Sequence, residues 1–594
     1  MKNSISLCMI VKDEEEYLPR CLKSIKDIVD EIIIVDTGSK DKTVEIAKSF
    51  GANVYYFKWT NNFSEARNES LKYATKDWIL ILDADDEVYS EDQKNLKSLL
   101  DSSLDENIIY YFQTINYCGD VIDDNFTTMN LNPRLFKNNK GIHYEGEVHN
   151  QLSYPENIQH AICDFIKIHH YGYMNKVIKN KDKKNRTITL LKNQLEKNPD
   201  EPFANFNLGT EYAGLNDYKN ALKHFYKSYE KFDPQNGYSF LLILRIVIAN
   251  YQLKDFDNAL KFINIGIEYY PDFTDLYFFK SLIFKDLDMP ILQIKALKKC
   301  VELGEAPPQL RCYYGTGSFK AYYELGNAYF NLKDYDTAYN YYIETMKSKN
   351  DFITPLYNIA HILKIRNTPL EDFKKIMEDF LPDSLNSKLI LINLFFNEDY
   401  YDTALEYIEK YEQYSTITEN LNFIKAKCLL MTGKFNECIC LNNVEENNSY
   451  YVPLSMYKVI SNILINNYNG ALSILNNFKE DNLSNHDKKH FKVYSQLLKL
   501  FTKEALLDIS NEENESEYLN IILEILEILL VNNKFNEFKI AVNLLNLINN
   551  KFILLAFGKL YYKYGYIEHS KNELIRSIKE FEVYDKESLK ILMN

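Results

Sequence analysis

Apolar residues follow two different rhythms in this chain, and the rhythm changes near residue 175. Before that point, short and nearly unbroken apolar runs stand between segments whose apolar positions recur every three or four residues. The runs ISLCMIV (5–11), EIIIVD (31–36), NVYYFKW (53–59) and WILILD (78–83) read as strands. Unbroken Ile, Val and Leu is what a strand covered on both faces requires. Between and after them, EEYLPRCLKSI, DKTVEIAKSFG, SEARNESLKYA and SEDQKNLKSLLDSSL read as helices. Regular alternation of strand and helix predicts an α/β domain around a mostly parallel sheet. Ser90 followed by Gln93 predicts a capping box, and Gly51 a helix C-terminus. Beyond residue 107, NIIYYFQTINYCGD, RLFKNNKGIHYEGEVHNQL and CDFIKIHHYGY read as strands joined by Gly- and Asn-bearing turns, expected as antiparallel additions to the sheet edge.

Past residue 175 the strand signal vanishes and a repeat takes over. FNLGTEYAGLNDYKNALKHFYKSY and YELGNAYFNLKDYDTAYNYYIETM align without a gap, with Gly209 and Gly326, Ala221 and Ala338, Phe225 and Tyr342 in register. This is the helix-turn-helix pattern of tetratricopeptide repeats, whose period is about 34 residues. A turn aromatic recurs at Tyr218, Phe256, Tyr335, Tyr401, Phe435, Tyr468 and Phe535, mostly near one or two repeats apart. Small residues let packed helices approach, and stacked repeats make a superhelix with a concave face suited to an extended partner. The same array would also serve as a spacer or as a dimerisation arm. Three parts are therefore expected: an α/β domain over 1–175, an amphipathic linking helix over 176–200 carrying Ile178, Ile188, Leu191 and Leu195, and an all-α repeat superhelix over 201–594.

Composition narrows the classes. Hydrophobic content of 46% and charged content of 26% are those of a folded globular chain, and a net charge of −15 disfavours nucleic-acid phosphates as partners. No run reaches the roughly 18–20 apolar residues of a membrane span. The N-terminal apolar run is too short for a secretory signal, and nine scattered cysteines fit buried thiols in a reducing cytoplasm.

Chemistry gathers where the fourth run meets DADDE (83–87). Residues two apart on a strand share a face, so Asp83 and Asp85 project together while Ala84 turns away. In open α/β sheets ligands bind beyond the carboxyl ends of the strands. A small oxygen-ligand set there suits a magnesium- or manganese-type ion completed by substrate phosphates. Asp36 ends the second run before a Gly turn, placed to accept hydrogen bonds from a base or ribose. The first run ends in VKDEEE, bringing Val11, Asp13 and Glu14 to the same edge, and SEARNESL brings Arg67 and Asn68. An aspartate, a basic residue and a carboxylate pair at neighbouring strand ends suit one nucleoside diphosphate.

SLCMIVKDEEEYLPRCLKSI, EIIIVDTGSKDKTVEIAKSFGA, NNFSEARNESLKYATKDWILILDADDE and GEVHNQL together resemble a family 2 glycosyltransferase of the A-type fold, in the bacterial branch with C-terminal tetratricopeptide repeats. Peptide S- and O-glycosyltransferases of glycocin type lie near that branch. The resemblance implies that Asp36 contacts the base of a nucleotide sugar, a UDP-sugar in the first instance. It also implies that Asp83, Ala84 and Asp85 form a DXD motif in which Asp85 ligates the metal while Asp83 reaches the ribose or a metal-bound water. His170, in HHYGY, is the histidine that would return to the metal or diphosphate. The family pattern reads His-Glu where this chain has His149 and Asn150, so the usual general base is missing. Glu145, Glu147 or His149 itself is expected to replace it. The function implied is inverting transfer of a sugar to Ser, Thr or Cys of a peptide or protein held by the repeats. A polysaccharide acceptor, or a scaffold whose transferase domain has decayed, are the alternatives.

Overall fold

The computed structural model describes residues 3–593 except 121, 124–126, 149, 175–182, 412–418, 443 and 510–514. The chain divides into two compact units, Met1–Pro355 and Leu356–Asn594.

The first unit begins with an eight-stranded sheet in the order β3-β2-β1-β4-β7-β6-β10-β5. The strands are β1 (Ile5–Val11), β2 (Glu31–Asp36), β3 (Asn53–Tyr56), β4 (Trp78–Ile81), β5 (Asp86–Glu87), β6 (Ile108–Gly119), β7 (Thr127–Lys137) and β10 (Gln159–Met174). A separate two-stranded hairpin is formed by β8 (His143–Glu145) and β9 (Gln151–Ser153). The four apolar runs become β1 to β4, all parallel. Residues 5, 7, 9 and 11 pack with Leu18, Leu22 and Ile25 of helix α1 (Leu18–Ile25) on one face, while Cys8 joins Ile33, Ile79 and Phe136 on the other. Burial on both faces is the physical cause of the unbroken runs in β1, β2 and β4, whereas β3, at the sheet edge, is half-buried with exposed ends.

Beyond β4 the expectation of antiparallel additions needs correction. β7 runs against both β4 and β6, but β6 and β10 are parallel to each other, and only the short β5 reverses again at the edge. The intervening β7 and hairpin supply the long connection that a parallel pair demands. The Ser90–Gln93 capping box also does not form. Tyr89 occupies the N-cap, and the Gln93 amide donates instead to the Val88 carbonyl at 2.9 Å. Gly51 does follow its helix with φ +80°.

The helix Lys183–Lys197 buries Ile188 and Leu191 against Ala204 and Leu208, with Leu195 and Val148 of the sheet domain packed alongside; Ile178 lies outside the described residues. Each of the seven turn aromatics starts a helix. Two residues before each lies a residue of positive φ: Asn216, Lys254, Lys333, Asp399, Gly433, Asn466 and Asn533. Asp288 and Gly565 likewise stand two residues, and Asn367 three residues, before helices that begin at Pro290, Ile567 and Leu370. Those pairs escaped the sequence pattern because no aromatic starts the second helix. Gly326 shows why the small residue is needed: a Cβ there would lie 2.5 Å from the fully buried Tyr342 ring.

One segment of the first unit breaks the helical rhythm. Between the helices Pro290–Leu303 and Phe319–Asn331, residues 305–318 form an irregular strap held by two carboxylates. Buried Asp275 accepts from the Cys312 and Tyr313 amides at 3.0 and 3.2 Å and from the Thr316 hydroxyl at 2.5 Å. Glu305 accepts from the Gly315 amide and the Ser318 hydroxyl. β4 pairs only with residues 135–137 of β7, which leaves the N-terminal part of that strand with an open edge. The strap covers it there: the Met129 amide donates to the Cys312 carbonyl at 2.7 Å, and Thr128 bridges Tyr313.

In the second unit, helices Glu419–Met431, Asn485–Thr502, Ser516–Val531 and Ile553–Lys563 line a groove of about 850 Å³. Its charges are paired, with Lys427–Glu524 and Lys563–Glu527 both at 2.8 Å. No described helix is long and apolar enough to cross a membrane.

Candidate functional site

The carboxyl ends of β1, β2 and β4 lie side by side because the strands are parallel neighbours, and the acidic residues that follow them meet there. Asp36 is 3% exposed and accepts from the amides of Gly38 and Ser39 at 3.1 Å, which fixes the turn after β2. Val11 is buried, and its carbonyl accepts from the amide and hydroxyl of Thr37. Asp13, at φ +54°, accepts from the Lys40 amide at 2.7 Å, and the Glu14 amide donates to Thr43. These residues knit two strand ends into one rim.

At the end of β4 the structure brings together Asp83, Asp85, His170 and Arg67, all expected, with Asp86, Arg134 and Gly172, which were not. Asp83 faces the arginines, with Arg67 Nη2 at 2.6 Å and Arg134 Nη1 at 3.7 Å. Burial would raise the Asp83 pKa, but Arg67, Arg134 and His170 hold it well below the usual carboxylate range. Asp86 is 1% exposed. It accepts from the Asp83 amide at 2.8 Å, pairs with Arg134 at 3.0 Å and meets His170 Nδ1 at 2.9 Å. Asp85 Oδ1 lies 3.6 Å from the same nitrogen. Burial alone would depress the His170 pKa; Asp85 and Asp86 outweigh it and push it up to about 9.

Asp85, Asp86 and His170 thus present three ligand atoms within 4.8 Å of one another; of the expected set of Asp83, Asp85 and His170, Asp83 is turned instead to the arginines and Asp86 stands in its place. The space between them is kept open by Gly172. A Cβ on that residue would stand 2.5 Å from His170 Nε2 and 2.7 Å from Asp85 Oδ2. A break in the β10–β6 register between His170 and Tyr173 aims this stretch, as bulges near sites do. Two carboxylates and an imidazole around a gap that excludes even a methyl group fit a divalent cation.

Ala84 is buried as expected of the residue facing away. Asn68 clamps the hairpin, its amide bonded both ways to the Tyr144 backbone at 2.8 and 2.7 Å, and Arg67 lies 5.5 Å from the Tyr144 ring. Of the proposed bases, Glu145 is exposed and bonded to His143 at 3.1 Å. Glu147 is exposed too, its carbonyl accepting from the Phe63 amide. Both line a cavity of about 300 Å³ shared with Gln194, Glu201 and Asn207 of the following helices. His149 lies outside the described residues. Asn150, which stands where the family pattern has Glu, has a buried side-chain nitrogen without a hydrogen-bond partner.

Arg134 lies within β7, with nothing in its sequence neighbourhood to mark it. Asp86 was visible in the DADDE string but falls outside the i, i+2 rule. Gly172 was visible only as a glycine near the end of a strand.

Residues 6–166 match the model of glycosyl transferase family 2, and residues 319–351 match a tetratricopeptide repeat. Among curated proteins, the chain is 31% identical over 265 residues to a TPR repeat-containing protein of Synechococcus elongatus, covering 43% of this chain and 64% of that one. It is 31% identical over 294 residues to the SPbeta prophage-derived glycosyltransferase SunS of Bacillus subtilis, covering 47% and 66%. An uncharacterized glycosyltransferase of Rickettsia typhi is 34% identical over 134 residues, covering 22% and 46%. The chain thus spans a little under two thirds of the length of the first two relatives and about half of the third.

Proposed function

We propose that this chain, whose residues 6–166 are a family 2 glycosyl transferase domain, transfers a sugar from a nucleotide-sugar donor to a peptide or protein acceptor. The observation that carries the reading is the Asp85–Asp86–His170 set around the Gly172 gap, at the strand ends where a nucleotide would lie. Asp36 and the rim it fixes would receive the base and ribose, a uridine in the first instance. Asp85 and His170, with Asp86 behind the imidazole, would hold manganese or magnesium. When bound, that ion supplies charge neutralisation for the departing diphosphate.

The chain's own groups do the rest. Arg67 and Arg134 keep Asp83 ionised and fixed, so its carboxylate is oriented before a donor arrives. Inversion at the anomeric carbon requires a base on the acceptor side, and we assign that task to Glu145 or Glu147 in the cavity beside the hairpin. A base of this kind contributes about 10²- to 10⁴-fold. A cysteine acceptor would need less of it than serine or threonine, because its pKa lies nearer neutrality. The acceptor chain would extend along the repeats. Nine cysteines without disulfides suit a reducing compartment, and we place the reaction in the cytoplasm.

The test is turnover or binding of a panel of nucleotide sugars with manganese or magnesium, comparing the wild type with Asp85→Asn. Metal-dependent use of one donor, lost in the variant, supports the reading. A folded protein that binds none of them under either metal overturns it.

A further inference from the structure

All three arginines of the sheet domain are engaged by carboxylates: Arg67 with Asp83, Arg134 with Asp86, and Arg20 with Glu87 at 3.4 Å. The strand ends themselves carry buried Asp36, Asp85 and Asp86. A diphosphate entering this site meets net negative charge and needs a cation that is not already neutralised. Arg245, on the helix Ser239–Gln252, is such a cation. Its Nε is buried without a hydrogen-bond partner, as are Arg20 Nε and Arg134 Nε, but those two arginines have carboxylate partners and Arg245 has none among the described residues. Burying a guanidinium nitrogen unsatisfied is costly unless a ligand completes it.

Its position is fixed by its neighbours. Arg245 stands on a helix whose Leu242, Ile243 and Ile246 pack in one core with Cys312 and Tyr313 of the strap, and it lies within electrostatic reach of Cys118 and Tyr173, paired residues at the ends of β6 and β10. Tyr173 is 53% exposed and packs edge-on against His170 at 5.2 Å between ring centres. The Tyr173 phenol also feels Asp85 and Glu211. The bridge of Thr128 to Tyr313 ties this part of the helical array to the sheet, so Arg245 is presented by a docked element of the same unit.

We propose that Arg245 is an anion-binding residue of the donor site, supplied by the helical repeats to receive the diphosphate of the nucleotide sugar. The inference rests on the donor reading above. As the bond between the anomeric carbon and the β-phosphate oxygen breaks, its electron pair stays on that oxygen, and Arg245 meets the charge that accumulates. The acceptor lone pair forms the new bond, and the acceptor proton goes to the base. A repeat helix thereby makes sugar transfer depend on the array being docked.

The experiment is calorimetric titration of the full chain with UDP, uridine and inorganic pyrophosphate, each with manganese, for wild type, Arg245→Gln and Arg245→Lys. The expected result is a 10- to 100-fold loss of UDP and pyrophosphate affinity in Arg245→Gln, a smaller loss in Arg245→Lys, and unchanged uridine binding. Arg245→Gln binding UDP and pyrophosphate within twofold of wild type overturns the inference. So does an equal loss of uridine binding, which marks a structural role. If the wild type binds pyrophosphate but no UDP, the uridine-donor assignment fails while the pyrophosphate comparison still decides for or against Arg245. A wild type that binds neither overturns both.

Discussion

Replacing Gly172 with alanine asks whether the gap among Asp85, Asp86 and His170 is functional space. The added methyl would stand 2.5 Å from His170 Nε2 and 2.7 Å from Asp85 Oδ2. Ordinary contacts between such atoms lie near 3.5 Å, so the imidazole or the carboxylate must retreat by about 1 Å. Retreat of the imidazole strains the 2.9 Å bond of its Nδ1 to Asp86, which in turn is held by Arg134. Disturbing the groups that orient a metal ligand costs roughly 10- to 100-fold in affinity, and a 1 Å misplacement costs about 10²-fold in rate. Gly172→Ala is therefore expected to bind manganese at least tenfold more weakly, read by titration with electron paramagnetic resonance, while thermal denaturation stays close to wild type. Donor turnover should fall by about two orders of magnitude. Manganese affinity within threefold of wild type in the folded variant would refute the argument, because the methyl would then occupy space that no ligand uses.

Arg134→Met removes the arginine partner of buried Asp86 and leaves it only His170 and the Asp83 amide, at an expected cost of about 3–5 kcal/mol; hydrogen exchange of β4 and β7 amides should accelerate by roughly 10²- to 10⁴-fold, with partial recovery in the double variant carrying Asp86→Asn. Gly326→Ala pushes a methyl to 2.5 Å from Tyr342 and is expected to lower the stability of its helix pair by about 1–3 kcal/mol, measured by local exchange in residues 319–348. Burial raises the Asp275 pKa from 3.8 to about 6, against the three hydrogen bonds it accepts. Between those values the folded state holds a proton that the unfolded state has released, so stability falls as pH rises from about 4 to 6. Thermal melts of wild type against Asp275→Asn across that range should show the slope only in the wild type.

Much of this molecule was legible where one physical demand leaves one residue type. Strands β1, β2 and β4 were readable because both of their faces are covered, and seven helix pairs because an aromatic starts the second helix. The pairs at Pro290, Leu370 and Ile567 were hidden because the positive-φ turn is set by Asp288, Asn367 and Gly565 without that aromatic. Asp83, Asp85 and His170 were readable from the resemblance, but not from strand alternation: β4 ends at Ile81, and residues 83–86 form a turn closed by the Asp86 amide on the Asp83 carbonyl, so Asp83 faces Arg67 while Asp85 faces His170. Arg134 was not, because a buried arginine inside β7 is explained only by the partner that tertiary structure brings to it. Nor was the capping box a safe inference, since Gln93 found the Val88 carbonyl instead.

The strap of residues 305–318 sets a limit on how this protein can be divided or recombined. Its Cys312 carbonyl and Tyr313 complete the open edge of β7, about 140 residues after the sheet's own last strand has ended. A chain cut near residue 175 would expose that edge to pairing with other molecules, the usual route to aggregation for an unprotected strand. Exchange of the whole helical arm for one from another protein would remove the same cover. Any division or exchange within the first unit therefore has to keep the strap, through residue 318, together with the sheet it covers.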